Sequence, residues 1–70
     1  MPIVIAPLNT LLTIVKVNAD EKTKKHLESL GVFINGKITV ISSQAGNVII
    51  EVKGVRLALN RDIATKIFVA

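Results

Sequence analysis

The sequence predicts an all-β fold: a small five-stranded barrel with one short α-helix inserted between its first two strands. Short runs rich in Val, Ile, Leu and Thr recur along the chain, bounded by clusters of Gly, Asn and Ser. A single segment shows the three-to-four-residue apolar spacing of a helix of any length. The 70 residues hold no linker, repeat or low-complexity stretch, so one domain spanning 1–70 is expected.

The first strand is Thr10 to Val17, TLLTIVKV, whose density of β-branched and aliphatic residues reads as burial on much of both faces. Asn18, followed three residues later by Glu21, fits a capping box, and Asp20 and Glu21 suit the positive end of a helix dipole. The helix, about 20–30, sets Ala19, Thr23, Leu27 and Leu30 on one stripe and turns Lys22, Lys25 and Ser29 away. Gly31 stands where a left-handed residue ends a helix. Lys37 to Ser42 alternates, with Ile38 and Val40 sharing a face, and Ser43 to Asn47 is a turn cluster. Val48 to Lys53 points Val48, Ile50 and Val52 one way. Gly54 breaks that run, and Val55 to Leu59 resumes it with Val55, Leu57 and Leu59 inward. Asn60 caps a helical turn before the closing strand, Ile67 to Val69. This order describes an SH3-like barrel, with an OB-type Greek-key barrel as the alternative. The expected core is Leu12, Ile14, Leu27, Leu30, Ile38, Val40, Ile50, Val52, Leu57, Leu59 and Ile67.

Composition narrows the functions. Without cysteine there is no disulfide, thiol catalysis or Cys-based zinc site. The apolar start, Met1 to Ala6, is stopped by Pro7 and lacks the basic region of a secretion signal. No run approaches the roughly 20 apolar residues of a membrane span, so a cytoplasmic protein without membrane insertion is expected. A net charge of +4 invites an anionic partner and equally serves solubility. RNA-binding barrels stack bases on aromatic platforms, and this chain has only Phe33 and Phe68, with a basic cluster, Lys22, Lys24 and Lys25, diluted by Glu21 and Glu28. Nucleic acid is therefore not the expected partner.

Gly31 to Lys37 has phosphate-loop spacing up to its lysine, but Ile38 stands where a Ser or Thr must ligate magnesium. The segment also follows a helix and opens a strand, the reverse of a phosphate loop. His26, the sole histidine, reads as a solvated helix residue. Ser29, Ser42 and Ser43 carry no sign of activation. No catalytic or metal-ligating set can be named, and an enzyme is not expected.

The order of residues says more. Leu27-Glu28-Ser29-Leu30-Gly31 at the helix end, Ile38-Thr39-Val40, Gly46-Asn47-Val48, and Glu51 through Leu59 (EVKGVRLAL), followed by Ala64 and Ile67, resemble the FeoA family over about Leu12 to Val69. The resemblance implies a small cytoplasmic SH3-like protein of ferrous iron transport that docks on the cytoplasmic region of the FeoB transporter, with GTP and iron belonging to that partner and no cofactor of its own. Two places depart from the family pattern. Ile34-Asn35-Gly36 stands where members often carry Pro-Gly, and Asn60-Arg61 where an arginine follows L-A-L directly. The same fold occurs at the C-terminus of iron-dependent repressors; without DNA-binding helices in this sequence, repression is not expected. A ferrous-iron carrier and an RNA-binding barrel are the other readings, and a homo-oligomer is left open.

The expected docking surface is the helix end. Val32, Phe33 and Ile34 follow the Gly31 cap as an apolar run in a loop, beside basic Lys25 and His26. The alternative folds Phe33 or Ile34 back as a lid on the barrel and moves the interface to Arg56 and Arg61.

Overall fold

The computed structural model describes residues 1–70. A 3-10 turn, Ile3–Ile5, precedes β1 (Leu11–Val17), α1 (Glu21–Ser29), β2 (Lys37–Gln44), β3 (Asn47–Val52), β4 (Val55–Leu59), α2 (Arg61–Ala64) and β5 (Ile67–Val69). The strands form one antiparallel sheet in the order β4-β3-β2-β1-β5, coiled around the core in the SH3-like arrangement that the sequence predicts. Two hairpin turns set the registers. Ala45-Gly46 and Lys53-Gly54 each place both central residues at positive φ, the type I′ pattern whose twist matches that of the flanking strands. Ser43 and Gln44, expected in the first turn, belong to β2.

β1 is buried on one face rather than two. Leu12, Ile14 and Val17 point inward while Leu11 and Val15 face solvent, and a bulge between Ile14 and Lys16 shifts the alternation. The helix cap also differs from expectation. Asp20, not Asn18, is the N-cap, its carboxylate accepting the Thr23 N–H at 2.8 Å. Hydrogen bonding by the Thr23 side chain, then by its backbone N–H, holds the Asp20 carboxyl below its ordinary value, with Lys66 and Lys22 adding smaller attractions. Asn60 caps α2 as predicted, accepting from the Ile63 N–H at 3.0 Å.

The end of α1 explains two further corrections. The Val32 N–H donates to the Leu27 carbonyl at 2.9 Å and the Gly31 N–H to the Glu28 carbonyl at 3.0 Å, with Gly31 at φ +97°. This is a Schellman motif, in which the residue after the glycine packs against the helix one turn back. Val32 is therefore core, at 1% exposure, and not part of an exposed docking run. Leu30, expected inside, is the C-cap residue and stays 40% exposed, because the chain has already turned.

The core contains Leu12, Ile14, Leu27, Ile38, Val40, Ile50, Val52, Leu59 and Ile67 as expected, joined by Ile3, Ala6, Val17, Val32, Val48, Ala64 and Val69. Ile3 is fully buried because the N-terminal turn packs against β2, β3 and β5, filling an end of the barrel. β4 keeps its predicted alternation but is less deeply buried than expected. Leu59 is buried, Leu57 only half-buried and Val55 exposed, since the strand flares away from the core toward the hairpin tip.

Candidate functional site

After the Schellman turn sends Val32 inward, the next two side chains are turned outward: Phe33 is 36% exposed and Ile34 is 52% exposed. The loop is not slack. The Asn35 N–H donates to the Ile14 carbonyl at 2.7 Å, and the Ile14 N–H donates to the Gly36 carbonyl at 2.9 Å, tying the loop to β1. Asn35 takes φ +72°, one of the few side chains that tolerates the left-handed region, so the turn forms without Pro-Gly. Gly36 is needed for a different reason. A Cβ there would lie 2.9 Å from the Phe33 carbonyl oxygen and 3.2 Å from the Phe33 ring. The glycines that mimic a phosphate loop are thus a helix stop and a seat for the Phe33 ring.

Phe33 stands between two concavities. On one side is a groove of about 290 Å³ between α1 and the end of β1, with Val17 and Val32 in its floor, Phe33 and Ile34 on one wall, and Lys24 and Glu28 on the other. On the other side, a hollow of about 410 Å³ runs from the end of α1 to the β3–β4 hairpin, past Leu30, Val52, Lys53, Val55 and Leu57. The Lys53 Nζ sits 5.7 Å from the Phe33 ring centroid, close enough for a cation–π attraction that steadies the ring. The result is an apolar surface rimmed by two cations, Lys24 and Lys53, and by Glu28.

The six residues singled out in the sequence fall in separate places. Phe33 forms the groove wall and Val32 lies beneath it. Lys25 and His26 are exposed on α1 but line neither concavity. Arg56 lies on β4 with Glu51 at 3.5 Å. Arg61 opens α2 above the Ala45-Gly46 turn, its N–H donating to the Asn47 side-chain oxygen at 2.9 Å, in a polar hollow shared with Asn60 and Asp62. Lys24 and Lys53 were not singled out for the site. Lys24 carries a legible signal, since it precedes Leu27 by three residues and Glu28 by four on one helix face. Lys53 reaches Phe33 from twenty residues away, and nothing local announces it. No three His, Asp or Glu side chains stand close enough together to hold a metal ion.

The family model for the FeoA domain matches residues 1–70. A candidate Fe(2+) transport protein A of Methanocaldococcus jannaschii is 35% identical over 68 residues, covering 97% of this chain and 83% of that protein. The crystal structure of an iron uptake regulatory protein (FeoA) superposes with a TM-score of 0.87 at 24% identity, over 99% of this chain and 93% of that one. The solution structure of a Chlorobium tepidum FeoA protein gives 0.81 at 19% identity, over 99% and 68%. ScaR with bound Zn2+ gives 0.85 at 20% identity, and there the match spans 35% of that chain. At these identities the structural likenesses speak to fold alone.

Proposed function

This chain belongs to the FeoA domain family, associated with ferrous iron transport, and from that premise we propose that it acts by docking on the cytoplasmic part of the FeoB transporter through the groove beside Phe33. The family is one of transport accessory proteins rather than enzymes. The observation that supports docking at this place is the pair of exposed apolar side chains, Phe33 and Ile34, held outward on a loop that β1 pins by two backbone hydrogen bonds. An ordered apolar anchor with a charged rim loses little freedom on binding, which suits an interaction hot spot. Iron and GTP belong to the transporter in this reading. The carrier reading lacks a cluster of hard or imidazole donors to rest on. The RNA reading has two Phe rings, each already faced by a lysine of the chain. No helix is long and apolar enough to cross a membrane, and a cytoplasmic location follows from the proposed partner.

Titration of the transporter's isolated cytoplasmic region tests the proposal. Ile34→Ser weakens association by about 1–2 kcal/mol while the melting curve hardly moves, as expected of an exposed anchor. Phe33→Ala weakens it at least as much but also lowers the melting point, since most of the ring is packed at Gly36 and under Lys53. Arg61→Ala, in the separate polar hollow, leaves binding unchanged. If both groove variants bind like the parent and Arg61→Ala does not, the docking face is the one around α2.

A further inference from the structure

The two edges of the sheet are treated differently. Along β5, the Met1 nitrogen donates to the Val69 carbonyl and the Val69 N–H donates to the Met1 carbonyl, both at 2.8 Å, and Pro2 bridges Phe68. That edge is already paired. Nothing comparable lies along β4, the strand at the other margin. The two-residue turn makes Val52 and Val55 a hydrogen-bonded pair; Ile50 with Leu57 and Val48 with Leu59 follow at a period of two. Arg56 and Ala58 consequently turn their N–H and C=O groups outward, and no loop or cap of the chain bonds to them.

Natural sheets protect an open edge with short strands, several charged side chains, proline, a bulge or a covering segment. The edge here reads Val55-Arg56-Leu57-Ala58-Leu59, with a single charge, and Glu51 lies 3.5 Å from that guanidinium. Val55 is 58% exposed and Leu57 half-buried, so the flared end of the strand also shows apolar surface. Apart from the Arg56 charge, nothing in the chain covers that edge.

We propose that β4 pairs antiparallel with β4 of a second copy, about a two-fold axis passing through Leu57. The pattern of the strand favours its own copy over an unrelated segment. In this register Arg56 of each copy lies opposite Ala58 of the other and exchanges both backbone hydrogen bonds with it. Leu57 meets Leu57, and Val55 meets Leu59, on the apolar face. A register centred on Arg56 would oppose two guanidinium groups directly, and one centred on Ala58 would run Arg56 past the strand end to Asn60. Charge thus selects one alignment, and a two-fold interface uses up both open edges at once. Val55 and Leu57 line the hollow on the far side of Phe33 but not the groove walled by Ile34 and Lys24, so the pairing does not rest on the transporter reading.

Ala58 is exposed and its backbone does not bond to β3, so charge can be placed there without disturbing the fold. Sedimentation equilibrium of the full chain should show a concentration-dependent dimer. Ala58→Arg, which sets like charge against Arg56 of the other copy, raises the dimer dissociation constant at least tenfold. Ala58→Glu lowers it several-fold, and the gap between the variants narrows with added salt. A merely structural role for Ala58 would move both variants in the same direction. Thermal melts check that each variant is folded. A parent chain that stays monomeric into the millimolar range overturns the proposal, as does a dimer indifferent to both substitutions. So does a monomer whose transporter binding Ala58→Arg abolishes, since the edge would then receive the transporter's own strand.

Discussion

Val32 shows how one residue decides the reading of a surface. Its neighbours in sequence are exposed, yet the Schellman turn at Gly31 directs it onto Leu27 in the core. Val32→Ser removes buried apolar surface and adds a hydroxyl with no partner, a loss of about 2–4 kcal/mol measurable by urea denaturation. Any loss of the proposed transporter binding should follow that unfolding. The signal was in the sequence: glycine just past a helix end, with an apolar residue after it and another four positions before it. Asp20 gives a second residue-level expectation. Its pKa is lower folded than unfolded, so the stability it contributes is present above its unfolded value, 3.8, and is lost as pH falls through the lower folded value. The acid limb of the stability curve should therefore flatten in Asp20→Asn, by direct comparison of melts between pH 5 and pH 2 (values on the order of the carboxylate range).

Among the elements, β4 is where sequence pattern and structure part. Strict alternation puts Val55, Leu57 and Leu59 on one face, and they do share it; what alternation does not contain is where the core stops. The sheet coils, the strand flares, and burial fades from Leu59 through Leu57 to Val55. Leu59→Ala should cost about 2–4 kcal/mol and Leu57→Ala clearly less, read as the difference in denaturation midpoint at equal slope. The β2–β3 turn offers a sharper case. Gly46 has φ +84°, and a Cβ there would lie 2.6 Å from the Arg61 stem. Gly46→Ala should destabilise by more than about 1 kcal/mol, and Arg61→Ala in the same chain should recover the steric part but not the backbone part. The strands, the helix and α2 were legible because turn glycines, the Asn60 cap, acidic residues at the start of α1 and alternating aliphatics are local signals. The spacing of Asn18 and Glu21, by contrast, pointed away from Asp20, which caps α1. Arg61 over Gly46 and Lys53 over Phe33 were not legible, because each joins residues that only the folded topology brings together.

At the scale of the whole molecule, the largest omission from the sequence reading is the N-terminal turn. Met1 to Ala6 has neither the alternation of a strand nor the spacing of a helix, yet Ile3 reaches zero exposure and Ala6 is also buried. Burial there is a property of the finished barrel, whose open end needs a plug, and no periodicity records it. The candidate site divides along the same line. Phe33 and Ile34 could be picked out as an apolar run after a cap; their outward direction required the tie between Asn35, Gly36 and β1.

The Met1–Pro2 tether along β5 has a consequence best put as valency. A molecule with one available edge is monofunctional, and its association ends at the pair. Free the second edge and the same molecule becomes bifunctional, with each copy able to bind on both sides, so growth has no natural stopping point. On the proposed pairing, Met1 and Pro2 in this sense end the growth of the assembly. Removing Met1 and Pro2 while keeping Ile3 should convert a finite assembly into one whose light-scattering mass climbs continuously with concentration, and Ala58→Arg in that shortened chain should bring the growth back to a stop.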